Sequence, residues 1–140
     1  MTDTRLERIL LWAEVYEVLS SYSHALDSGR IDDVVEMYLE DGVFNAAIGG
    51  EIRGRSALRT YYTDQLTDPA WEGLRGGQHL LSNVVVESIE GGARSFCDLI
   101  YVVPTAQGPS IAFLGRYEDE LVSAEGTWFF KRRRTIETGK

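Results

Sequence analysis

The sequence predicts an α+β fold, with helices from the front of the chain packed on a curved, mostly antiparallel sheet built from its back. Three observations carry this. Helical periodicity is confined to the first half, where apolar residues recur at intervals of three and four. The second half holds four long runs of strand character joined by short turns, so consecutive strands should pair antiparallel. No linker, repeat or low-complexity tract interrupts the 140 residues. Residues 1–140 therefore form one domain, long enough to bury its own core.

Thr2-Asp3-Thr4 supply capping side chains for a first helix. Leu11, Val15, Val18, Leu19, Tyr22, Ala25 and Leu26 form its apolar stripe and carry it to about Asp27, where Gly29 can stop it. A second helix is expected over Ile31–Leu39, with Asp32 and Asp33 near its positive end. Glu40-Asp41-Gly42 reads as a turn into a strand, Val43–Ile48, and Gly49-Gly50 as a hairpin returning through Glu51-Ile52-Arg53. Gly54-Arg55-Ser56 opens a third helix that runs to about Leu66 and stops at Thr67-Asp68-Pro69. Residues 69–78 lack periodicity but contain Trp71 and three glycines, as a covering loop would.

Gly76-Gly77-Gln78 then feed the first long strand, His79–Ile89. Strict alternation would place His79, Leu81, Asn83 and Val85 on one face, a mixture suited to a pocket wall. Ala93–Val103, Ser110–Val122 and Thr127–Ile136 follow. Strands this long, against a typical ~5–6 residues, must twist and bend, and a curved sheet closed by helices leaves a concave cavity. A broad sheet face carrying Phe96, Phe113, Trp128 and Phe130 predicts a homodimer or homotrimer.

Composition narrows the partners. A net charge of −8 argues against nucleic acid and anionic membranes. No run approaches the ~20 apolar residues of a membrane span, and MTDTRLERILLW is too charged for a secretory signal. One cysteine, Cys97, set in an apolar run, fits a buried inert thiol and a reducing cytoplasm. Two histidines without H-x-E or C-x-x-C spacing predict no metal site. The absence of a G-x-G-x-x-G or P-loop signature predicts no nucleotide cofactor. A G-x-S-x-G nucleophile elbow is missing too. The basic run 131–134 alternates between two faces, so at most half of it can reach one pocket.

The order of short signatures resembles the SnoaL-like branch of the NTF2-like superfamily over nearly the whole chain. They are YSHALD (22–27), YLEDGV (38–43), Gly54-Arg55, His79 with Asn83 in HLLSN, GRYED (115–119), and Gly126-Thr127-Trp128 with the downstream Arg133. The resemblance implies a cone-shaped α+β barrel with three N-terminal helices on its sheet. That superfamily includes scytalone dehydratase, hexachlorocyclohexane dehydrochlorinase, bile-acid dehydratases and polyketide cyclases, and also non-catalytic members. In the dehydratase and dehydrochlorinase members an Asp at the end of the first helix pairs with a His at the start of a central strand. Asp27 and His79 stand at those positions. The dehydrochlorinase lysine five residues before that Asp is Tyr22 here, which argues against halide elimination.

These residues suit proton transfer beside a carbonyl. Histidine, at ~6.5 unperturbed, can take a C–H proton near neutral pH. A carboxylate on its other nitrogen fixes the tautomer and stabilises the imidazolium. As the last residue of a helix Asp27 opposes the dipole by some tenths of a kcal/mol, which invites a second reason for its presence. Tyr22, Asn83, Tyr117 and Arg133 are the candidate substrate-binding donors for the developing oxyanion. His24, two residues from Tyr22, points elsewhere. The expectation is a cofactor-independent lyase or isomerase, of dehydratase or cyclase type, acting on a small, mostly apolar, carbonyl-bearing molecule. The alternatives are a non-catalytic ligand-binding or interaction domain, or a subunit supporting a larger oxygenase.

Overall fold

Apolar spacing along the first segment becomes a 24-residue helix, α1 (Thr4–Asp27), whose Val15, Leu19, Tyr22 and Ala25 are at most 1% exposed. Burying such side chains is worth about 1.5–3 kcal/mol for each large aliphatic one. The computed structural model describes residues 4–139, so the expected caps Thr2 and Asp3 lie outside the described residues. The Ser28 and Arg30 N–H groups close the last turn onto the His24 and Ala25 carbonyls at 3.1 and 2.9 Å. After it come α2 (Ile31–Glu36), β1 (Tyr38–Ala46), β2 (Gly50–Arg53) and α3 (Arg55–Thr67). A 3-10 turn (Pro69–Leu74) leads to β3 (Gln78–Ile89), β4 (Gly92–Val103), β5 (Ser110–Ala124) and β6 (Thr127–Glu137).

The strands form one sheet in the order β2-β1-β6-β5-β4-β3. Every pair is antiparallel except β1 with β6. As expected, the sheet is curved; β2 and β3 are its free edges, so it does not close into a complete barrel. One core joins α1, α2 and α3 to the inner face through Val34, Val35, Leu58, Cys97, Leu99, Leu121 and Phe130. Among the described residues, no helix is long and apolar enough to cross a membrane.

Three expectations fail locally. The second helix stops at Glu36, because the Phe130 N–H takes the Met37 carbonyl at 2.8 Å and Tyr38 enters the sheet beside Phe130. Arg55 reinforces the junction by donating to the Tyr38 carbonyl from Nη2 at 2.7 Å. The Glu40-Asp41-Gly42 turn is instead an irregularity inside β1, where its register against β6 shifts. A Cβ on Gly42 would stand 2.9 Å from the Leu39 oxygen and from Tyr38 Cβ, so only glycine fits that bend.

The third failure is in β3. Its register slips between Ser82 and Val85, and Asn83 adopts φ 53°. Leu81 packs on the core before this bulge, and beyond it the faces exchange: Val84 and Val86 pack on the core while Val85 is 53% exposed. The broad aromatic face dissolves as well. Phe113, Trp128 and Phe130 belong to the core side, which leaves Phe96 of the four outside it.

Candidate active site

Asp27, the last residue of α1, and His79, the second residue of β3, meet across 52 positions of sequence. One carboxylate oxygen lies 2.5 Å from His79 Nδ1 and the other accepts the His79 backbone N–H at 2.9 Å. An ionised carboxylate has no proton to give, so Nδ1 carries the hydrogen and Nε2 keeps a free lone pair. The side chains are 17% (His79) and 20% (Asp27) exposed, shielded but wet enough to exchange protons. The Tyr101 ring supports the imidazole at 4.4 Å between centroids.

Gly77 brings this strand entrance close to β4. A Cβ there would sit 2.4 Å from the Val102 oxygen, so a side chain would push β3 away from its neighbour. The segment expected to cover something does border the cavity. Asp68 caps it through the Ala70 N–H at 3.0 Å, Arg75 ties to the Asp68 carbonyl at 2.6 Å, and Tyr101 donates to the Leu74 carbonyl at 2.5 Å. Trp71 and Leu74 thereby reach the cavity wall.

The cavity has a volume of about 330 Å³ and is lined by both dyad residues together with Tyr22, Tyr62, Tyr117 and Phe113. That is the lower end of the ~300–1,000 Å³ typical of small-molecule sites. Its floor is aromatic. The Tyr62 hydroxyl bonds the Tyr22 hydroxyl on one side and the Tyr38 hydroxyl, at 2.9 Å, on the other. Burial pushes the phenols of Tyr22, Tyr38, Tyr62 and Tyr117 above their ordinary value, Arg133 opposing this for Tyr22, Tyr38 and Tyr117. They therefore stay protonated and serve as donors. Cys97 is 1% exposed, and burial pushes its thiol up to about 11, which makes it inert.

A family model for the SnoaL-like domain matches residues 7–134. The chain belongs to the SnoaL-like domain family. No curated protein matches its sequence. Among solved structures, an aspartate-to-asparagine variant of a function-unknown protein from Mycobacterium tuberculosis superposes with TM-score 0.85 at 24% identity, over 97% of this chain and 76% of the other. An NTF2-like protein with a cystatin-like fold from Novosphingobium aromaticivorans gives 0.83 at 19% identity, covering 100% and 94%. A candidate scytalone dehydratase from the same organism gives 0.79 at 25% identity, covering 99% and 89%. These likenesses show that the SnoaL-like chain shares the fold of these proteins, and they leave its chemistry to its own residues.

Of the six residues singled out from sequence, four line the SnoaL-like cavity: Asp27, His79, Tyr22 and Tyr117. Two do not. The bulge turns Asn83 to the outer face, where its amide donates to Asp98 at 2.7 Å. Arg133 is fully buried behind the tyrosines, drawn by its register partner Asp119 into a two-bond ion pair at 2.9 and 3.2 Å. Its guanidinium lies 3.5 Å from the Tyr117 ring centroid and 4.3 Å from that of Tyr22. It supports the cavity floor from below. His24 is exposed. Sequence reading missed Tyr62, Tyr101 and Thr135, all on the cavity wall. Leu58 and Tyr62, four apart on α3, were a usable signal. Among the described residues, no group of three or more His, Cys, Asp or Glu could hold a metal ion.

Proposed function

We propose that this SnoaL-like protein is a cofactor-independent lyase or isomerase, of dehydratase or cyclase type, acting on a small, largely apolar carbonyl compound. The observation that carries this is the double grip of Asp27 on His79 at the wall of an apolar cavity. Asp27 holds Nδ1–H, so the basic lone pair is on Nε2. The proton next to the carbonyl passes to Nε2, and the electrons of the broken C–H bond move onto the carbonyl oxygen. Tyr22, a protonated phenol polarised by Tyr62, stabilises that oxyanion. In a β-hydroxy ketone the enolate then expels the β-hydroxyl, which takes the proton from imidazolium and leaves as water. In an isomerisation the same proton returns to another carbon. The candidate scytalone dehydratase among its structural neighbours is consistent with the first route.

The test uses α-tetralone, a compact aryl ketone with exchangeable hydrogens beside its carbonyl. Wild-type protein in D2O should introduce deuterium there, measured by proton NMR. His79→Ala should slow this by roughly 10²–10⁴-fold. Exchange no faster than in buffer, or unchanged in His79→Ala, would support ligand binding without turnover.

A further inference from the structure

We infer that Tyr101 is a positioning residue: its ring holds the His79 imidazole against Asp27, and its hydroxyl latches the Pro69–Leu74 segment at the cavity wall. This rests on the Asp27–His79 reading but concerns the free protein, so turnover is not needed to test it. Tyr101 stands on β4 directly opposite His79 of β3 in the antiparallel register. The two rings lie 4.4 Å apart between centroids, tilted by 46°. From there the side chain crosses Gly77, where an added Cβ would stand 2.7 Å from Tyr101 Cζ and 2.9 Å from its hydroxyl oxygen. The missing side chain at 77 thus lets the phenol reach the Leu74 carbonyl, to which it donates at 2.5 Å. Burial raises the phenol above its ordinary value, the Gly77 backbone bond opposing this, so it stays a protonated donor near neutral pH.

The two ends of this side chain do different work. The ring packs on the imidazole and keeps water from that side of it. Water there would compete with the Asp27 carboxylate for Nδ1–H, and a hydrogen bond shielded from water is the stronger one. The hydroxyl acts on a segment that is weakly held. Trp71 packs edge-on against Tyr61 with centroids 6.2 Å apart, while Ala70, Glu72, Gly73 and Leu74 are exposed. Segments with few buried apolar contacts open at low cost. Trp71 and Leu74 line the cavity, so opening this segment uncovers the cavity from that side. One side chain thus joins the base to the cover, and losing its hydroxyl should favour the open segment about 2- to 10-fold, the range of one neutral hydrogen bond.

The experiment compares Tyr101→Phe, which keeps the ring, with Tyr101→Leu, which keeps neither ring nor hydroxyl. Proton NMR of the ligand-free protein follows the His79 Nδ1–H resonance, assigned by its disappearance in His79→Gln. That proton should exchange with water about 10-fold faster in Tyr101→Leu, while Tyr101→Phe restores the wild-type rate. The latch is read by amide hydrogen exchange at Trp71 and Arg75, whose N–H groups bond the Asp68 and Glu72 carbonyls. Both amides should exchange about 2- to 10-fold faster in either variant, with α1 unchanged. An Nδ1–H that exchanges as slowly in Tyr101→Leu, or equally fast in Tyr101→Phe, overturns the positioning role. Unchanged exchange at Trp71 and Arg75 in Tyr101→Phe overturns the latch, as does equal acceleration in α1, which would mean global loosening. A wild type without the Nδ1–H resonance would sink the dyad reading and this one with it, a result distinct from the others.

Discussion

Replacing Asp27 by asparagine changes the dyad's chemistry while keeping its shape. The carboxylate accepts two bonds, from the His79 backbone N–H at 2.9 Å and from Nδ1–H at 2.5 Å. Asparagine offers one acceptor and one donor. If its oxygen keeps the backbone bond, its NH2 faces Nδ1, which must then accept, and the ring proton moves to Nε2. The flipped amide would instead point NH2 at the backbone N–H, two donors face to face. The first arrangement wins, and it removes the basic lone pair from Nε2. Two charge-assisted bonds become neutral, each weaker by about 1 kcal/mol when buried. With both side chains partly wet, a net loss of about 1–2 kcal/mol follows, or roughly 3–8 °C in Tm for a domain of this size. Deuterium exchange into α-tetralone should fall about 10²–10⁴-fold. Long-range nitrogen–proton NMR of the imidazole reads the tautomer without any substrate. A variant that keeps hydrogen on Nδ1 and exchanges at the wild-type rate would refute this reasoning.

Arg133→Met should cost about 3–5 kcal/mol in urea denaturation, because it strands the buried Asp119 carboxylate, and Arg133→Met/Asp119→Leu should recover most of that. A single variant as stable as wild type would contradict the pairing. Cys97 gives a pH dependence whose sign follows from its upward shift, from 9.0 to about 11. The thiol is neutral in both states below pH ~9. Above it the unfolded chain ionises first, so stability falls as pH rises towards the folded value. Between pH ~8 and ~10 wild type should lose about 1 kcal/mol more than Cys97→Ala, and parallel curves would show that the thiol is not desolvated.

Much of the fold was legible because its elements obey simple periods. The stripe on α1, the four long strands and their short turns all follow from local spacing, and the structure reproduces them to within a few residues. What failed was set from a distance. Nothing near Met37 says that a strand from the far end of the chain will take its carbonyl and end α2 early. The site divides in the same way. Asp27 and His79 were visible as types at the ends of two elements, and Tyr22 and Tyr117 as inward-facing aromatics. Arg133 was misjudged because an inward-facing member of a basic run reads as available, whereas Asp119 lies directly across from it in register. Thr135 shares the inner row of β6 with Arg133, so alternation alone would have nominated it.

The bulge in β3 explains why one strand can serve both the core and the chemistry. In a regular strand, residues that share a face with His79 and Leu81 would include Asn83 and Val85. Val84 and Val86 would then point into water. Turning the strand over to bury them would swing His79 outward, away from Asp27. The extra residue at Asn83, held at φ 53° and tied to Asp98, shifts the alternation by one. His79 and Leu81 face inward before it, and Val84 and Val86 face inward after it. Val84 and Val86 are half-buried against the core, and that burial is worth about 1 kcal/mol each, which together offsets the ~1 kcal/mol or so that a non-glycine residue loses at positive φ. The strand keeps the bulge because the core favours it, and the same bulge leaves the imidazole facing its carboxylate.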